Sequence, residues 1–177
     1  TAIRRQRQMC IRDSNNISYI AKNHNYDEKI LKSDKNLDPM NLSLELARKK
    51  SLSLAYNYDN HVILGCDQIC LLEDKIFSKP LNSIKAIANL SKLSGKTHQL
   101  IGSYSFTRNG DVLYEETITT NMTMKPLTET EINDYVELDQ PFKSCGSYMF
   151  EKNGYKLFSE VEGLSLIHIS EPTRHLL

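Results

Sequence analysis

The stretch HVILGCDQICLLEDKIFSKP, His61 to Pro80, decides the fold. Its opening, His61 to Cys66, is a short apolar run of the strand type that is buried on both faces. The run gives way to polarity at Asp67-Gln68, which sets the expected end of that strand. Ile69 to Phe77 then reads as two short strands turning at Glu73-Asp74. A strand that delivers an acid at its exit is a common arrangement in α/β domains, where ligands gather at strand carboxyl ends.

Working outward, Asp38-Pro39 reads as a helix start, with Asp as N-cap and Pro at the first helical position. Leu42, Leu46, Lys50 and Leu54 follow at four-residue spacing, and Met40, Leu44 and Ala47 widen the apolar face of this helix. Lys50 lies close to that face, where a lysine commonly snorkels. Past Pro80, Asn82 or Ser83 opens a second helix, stopped by Gly95. Asn109-Gly110 between two strand-like runs signals a hairpin. Thr128-Glu-Thr-Glu131 is a capping box opening a third helix. A short strand is expected at Gly146 to Phe150, and a turn at Lys152-Asn-Gly154. Helices and strands mixed in this way predict one α/β domain with a mixed twisted sheet flanked by helices.

The two ends read differently. Met9 to Ser14, MCIRDS, can be encoded by ATG TGT ATA AGA GAC AG, whose reverse complement translates as LSLIHI, the sequence of Leu164 to Ile169. Arg4 to Ser14 and Leu164 to Arg174 also resemble translated transposase-type sequencing adapters. Residues 1–14 and 164–177 are therefore read as adapter-like scars, and 15–163 as the native domain. The chain has 22 basic and 22 acidic residues, and the flanks hold five arginines against Asp13 and Glu171. Without the flanks the centre is mildly acidic, so a nucleic-acid arm is not expected. No apolar run reaches the length of a membrane span. Cys66, Cys70 and Cys145 form no regular framework, which points to a reducing compartment. Cys66 and Cys70 lack a second pair at zinc spacing and are read as buried small hydrophobes.

Three side chains carry the chemistry. Asp67 is either a turn cap or a carboxylate that holds a metal or deprotonates a water. Lys79, in Ser78-Lys-Pro80, has an extended backbone before proline and a charge suited to phosphate. With Lys50 they make a candidate polyanion site. His24, His61 and His98 are read as surface or strand-end residues. Tyr104, Tyr148 and Phe158 are read as core, with Tyr148 as the residue nearest any base pocket.

The order ELARKKSLSLA (45–55), VILGCDQICLLEDKIFSKP (62–80), A(x)3L(x)2LSGKTH (86–98), MKPLTETEINDYV (124–136), CGSYMFEKNGYKLF (145–158) and VEG (161–163) resembles the Maf family of nucleoside triphosphate pyrophosphatases. The resemblance implies the Maf/inosine triphosphatase-like fold. It implies hydrolysis between the α and β phosphates of a nucleoside triphosphate, with a divalent cation, Mg or Mn, in cytoplasmic nucleotide-pool housecleaning. It makes Asp67 the proton acceptor, Lys50 and Lys79 phosphate-binding residues, and Glu28 a second acid serving the metal with Asp67. Ser78 stands where the family has glycine before the lysine.

Gln68 and Glu151 match the positions that discriminate the base. Asp-Gln followed by Glu resembles the 7-methyl-GTP subgroup, whereas the dTTP/UTP subgroup carries Asp-Thr followed by Gln. A carboxylate suits the adjacent donors of guanine and the positive charge of an N7-methylated ring. The alternatives are a dTTP/UTP pyrophosphatase and a non-catalytic nucleotide-binding, septum-regulating relative. Neither the family's opening strand with its Ser-x-Ser-Pro-Arg-Arg loop nor its closing Gly-Leu-Pro segment and last helix is found. The 177-residue chain is therefore expected to be inactive or nearly so. A homodimer is common in the family; no nucleic-acid or membrane partner is expected.

Overall fold

The computed structural model describes residues 20–34, 36–55 and 57–163. The flank segments 1–14 and 164–177 lie outside the described residues. The described elements, in order, are α1 Lys29–Lys32, α2 Pro39–Ala55, β1 Ile63–Leu72, β2 Lys75–Phe77, α3 Ser83–Leu93, β3 Thr97–Arg108, β4 Asp111–Met124, α4 Glu129–Asp139 and β5 Phe158–Glu162. The strands form one sheet of order β2-β1-β3-β4-β5.

Local chemistry sets most boundaries. Asp38 Oδ1 accepts from the backbone N–H groups of Met40 (3.0 Å) and Asn41 (3.1 Å), which caps α2. Asn82 caps α3 through the Lys85 amide. Thr128 and Glu131 complete the reciprocal capping box of α4. Asn109 and Gly110 both take positive φ, as a tight two-residue hairpin between β3 and β4 requires.

Three expectations are corrected. The sheet is not mixed: every pairing among the described strands is antiparallel. The strand opened by His61 to Cys66 does not stop at Asp67. It runs ten residues, because β3 offers an unbroken ladder from Ile63↔Thr107 to Leu71↔Gln99. Asp67 therefore sits mid-strand, opposite Ser103. Gly146 to Phe150 is not a strand, because Gly146 and Ser147 take positive φ within a 3-10 turn over Cys145–Ser147.

Strand alternation sends successive side chains to opposite faces, and this divides the core. Cys70, Leu100 and Met122 pack with Leu90 and Leu93 of α3 and Ile132 and Val136 of α4. Ile69 and Ile101 point the other way, to Leu42 and Leu46 of α2. Helix α2 lies so close to the sheet that a Cβ on Gly65 would stand 2.1 Å from the Ala47 carbonyl oxygen. Gly65 is thus what lets α2 settle on β1. Among the described residues no helix is long and apolar enough to cross a membrane.

Candidate functional site

Gly65 and Asp67 share a face of β1, so the close seat of α2 at Gly65, against Ala47 and Ser51, brings Lys50 of that same turn over Asp67. Lys50 Nζ donates to Asp67 Oδ1 at 2.5 Å and meets Glu28 Oε1 at 2.9 Å. Lys50 is only 7% exposed. It does not snorkel; its ammonium is sunk between two carboxylates. The Asp67 side chain is 11% exposed. Glu28 reaches the site because its segment is fastened to α2 and the second core. Tyr26 and Leu31 pack against Leu42, Leu46, Ile69 and Ile101. The Asn25 amide donates to Ser53 Oγ at 3.2 Å, and Ser53 Oγ donates to the Lys50 carbonyl. The second Glu28 oxygen is held by Lys32, and His24 Nε2 lies 3.4 Å from the first.

The two carboxylates differ in their electrostatics. Burial pushes the Asp67 carboxyl above its usual range and outweighs the Lys50 ammonium, while the Glu28 charge adds to the rise. Glu28 is also raised by burial, but hydrogen bonds from Lys32 and Lys50 overcome this and bring it down to about 2. Two acids whose environments drive them apart suit different tasks. Glu28 is a fixed anion that holds the lysines. Asp67 is the more basic of the two.

The remaining sequence-derived residues lie elsewhere. Gln68 follows Asp67 and so faces away from it, where its Oε1 accepts from the Cys145 thiol at 3.7 Å. Glu151 is an exposed residue just before the 3-10 turn Gly154–Leu157. It is near enough to Tyr135 for its charge to raise that phenol. Lys79 lines a groove with Lys75, Phe77, Lys85 and Asn89, on the α3 side of the sheet. The structure thus brings Lys50, Asp67 and Glu28 together. Lys79 and Gln68 belong to the opposite face.

Several side chains were misplaced in the sequence reading. His98 is not a surface residue: it is 2% exposed, with Nε2 2.9 Å from the Tyr148 hydroxyl. Its partner Tyr148 is a core residue, as expected, stacked edge-on with Phe158. Cys66 is exposed, while Cys70 is buried as expected. The sequence reading also missed Arg48, which forks onto Glu115 of β4 and bonds Glu45. The three-residue spacing of Glu45 and Arg48 was the available signal.

A divalent metal can be weighed against this donor set. Among the described residues no group of three His, Cys, Asp or Glu is placed to hold a metal. Both Glu28 oxygens are occupied by cationic partners. Magnesium, however, needs only one or two carboxylates when waters and substrate phosphates fill its other positions. Asp67, which uses one oxygen on Lys50, fits that limited role.

Fold and site define a class: a single-domain α/β protein that buries a lysine against paired carboxylates on one face of an antiparallel sheet. The chain belongs to the Maf family, whose sequence model, described as Maf-like protein, matches residues 4–166. It is similar to a protein named nucleoside triphosphate pyrophosphatase in Legionella pneumophila (strain Lens), at 35% identity over 78% of this chain and 70% of the relative. A protein of the same name in Pelagibacter ubique (strain HTCC1062) is 32% identical over 86% of this chain and 81% of the relative. A protein named 7-methyl-GTP pyrophosphatase in Aliivibrio fischeri (strain ATCC 700601 / ES114) is 35% identical over 73% of this chain and 67% of the relative.

Proposed function

We propose that the reaction of this domain is hydrolysis of a nucleoside triphosphate between its α and β phosphates, giving a nucleoside monophosphate and pyrophosphate, with turnover by the 177-residue chain itself expected to be weak or absent. The observation that carries this reading is the buried Lys50 ammonium bonded to Asp67 and Glu28. Asp67, raised by burial, takes the proton of the attacking water. Lys50 stabilises the charge that gathers on the phosphates as the bond breaks. A divalent cation, Mg or Mn, bound by Asp67 and the substrate's phosphates would neutralise phosphate charge. Lys79 grips the phosphates from the other side. Among the described residues β2 pairs with β1 only over Cys70 to Leu72, so Ile63 to Ile69 has a partner strand on one side alone. A nucleotide laid across that open edge meets residues of both faces.

For the base we propose 7-methylguanine, read by Gln68 and Glu151. The name of the Aliivibrio fischeri relative supports it. The cytoplasm, where nucleotide pools are cleared, is the proposed site of action.

The test is pyrophosphate release from 7-methyl-GTP, GTP, UTP and dTTP with added magnesium or manganese. Wild type is compared with Asp67→Asn. Loss of the proton acceptor should lower kcat by about 10²- to 10⁴-fold while nucleotide binding persists. Equal turnover by the two proteins would refute the assignment of Asp67. Preference for UTP or dTTP would move the chain to the other subgroup. Nucleotide binding by a wild type that releases no pyrophosphate would accord with the expected inactivity of the 177-residue chain or with the non-catalytic relative.

A further inference from the structure

The groove that contains Lys79 holds more positive charge than the proposed reaction has yet used. It measures about 210 Å³ and is lined by Lys75 and Phe77 of β2, Ser78 and Lys79 of the connection, and Lys85 and Asn89 of α3. Three of these are lysines, and no acid joins them. Among the described residues no carboxylate forms an ion pair with Lys75, Lys79 or Lys85. The other cations at this protein's sites, Lys50, Lys32 and Arg48, are each spent on a carboxylate.

The position of Lys85 is informative. It lies in the first turn of α3, where Asn82 accepts its backbone amide at 2.9 Å and no acidic residue is present. A helix N-terminus carries partial positive charge and favours acids, so a lysine there is set against the dipole. An anion in the groove relieves that conflict and meets three ammonium groups together. Lys75 is further placed by its contact with the Phe77 ring, 5.7 Å from the centroid. The Asn89 amide donates to Ser147 Oγ, which ties the wall of the groove to the Cys145–Ser147 turn.

We infer that Lys75 and Lys85 act with Lys79 as a three-lysine cradle for the pyrophosphate end of the substrate, the part that leaves. This rests on the proposed cleavage between the α and β phosphates. It adds Lys75 and Lys85 as substrate-positioning residues. A compact, multiply charged anion suits the groove because each lysine acts as a point charge and needs no fixed fork geometry.

The experiment is calorimetric titration of the full chain with inorganic pyrophosphate, at low ionic strength and again near 0.15 M salt. Three proteins are compared: wild type, Lys75→Ala/Lys85→Ala, and Lys92→Ala as an exposed α3 control. The double variant should bind pyrophosphate about tenfold more weakly, as expected for the loss of two exposed charge contacts. Lys92→Ala should bind as wild type does, and added salt should weaken wild type more than the double variant. The cradle is overturned if wild type does not bind, if the double variant binds equally well, or if Lys92→Ala loses as much. All three lysines are exposed, so the variants should fold, which circular dichroism checks. Failure of the catalytic reading looks different: pyrophosphate binding stays lysine-dependent while nucleotide turnover is indifferent to Asp67.

Discussion

At the scale of single residues, Lys50 is the most consequential side chain on the α2 face. Its removal leaves Asp67 and Glu28 facing one another without their shared cation. Breaking a buried pair from one side costs about 3–5 kcal/mol, because the surviving charge is left without compensation. Lys50→Met should therefore lower the urea midpoint sharply. The triple change Lys50→Met, Asp67→Asn and Glu28→Gln should recover much of the loss. A single variant as stable as wild type would mean that the carboxylates reach solvent without it. The sequence placed Lys50 near the apolar face but could not show that the ammonium is sunk, since a lysine at a face edge usually reaches water. Its depth follows from Gly65 of β1 and Ser51 on the buried side of α2, small residues where helix and sheet meet.

His98 gives the pH prediction. Burial brings its pKa down to about 4 from an ordinary value of 6.5. The unfolded chain takes up the proton first as pH falls, so the contribution is fully present above pH 6.5. It is lost as pH falls from there toward 4. Thermal melts across that window should show the midpoint falling, and His98→Gln should flatten the fall. An unchanged slope would remove His98 as the cause. Nothing in Lys96-Thr-His98 announces burial; the position is set by the strand's parity, which sends His98 to the side of Leu100 and Met122.

At the scale of elements, the legible parts were those written in short-range chemistry. The Asp38 cap, the Asn82 cap, the Thr128 capping box and the Asn109-Gly110 hairpin are each fixed by residues within four positions of one another. The misread parts depend on a distant partner. Asp67 looks like a strand exit because it is polar, yet the ladder with β3 carries the strand four residues beyond it, to Leu71. The interlock of α2 and β1 is likewise long-range and turns on one missing side chain. Gly65→Ala would place its methyl 2.1 Å from a backbone oxygen of α2, and the helix must move for it to fit. Overpacking of this kind costs about 1–3 kcal/mol, occasionally more. The variant should melt lower. It should also weaken the hold of Lys50 on Asp67, seen as reduced nucleotide turnover beyond what stability explains. A fully stable, fully active Gly65→Ala would show that α2 sits farther from the sheet.

At the scale of the whole molecule, the sheet separates the candidate site into two halves. Asp67 and Lys50 lie on the α2 face, and Lys79 and Gln68 on the α3 face. A linear sequence cannot show this, because Asp67 and Gln68 are neighbours in the chain and opposites in the strand. The division has a thermodynamic consequence for a nucleotide lying across the open edge of β1. Changes at well-separated sites that share no partner add within about 0.3–0.5 kcal/mol. Asp67→Asn removes a negative charge from beneath the phosphates and should strengthen binding of a non-hydrolysable triphosphate slightly. Lys79→Ala removes an attractive charge and should weaken it. The double variant should bind with the sum of the two changes, read by calorimetry without any turnover. A coupling well above that range would mean that Lys79 and Asp67 act on the same phosphate through the edge, with the two faces closing on the substrate as one site.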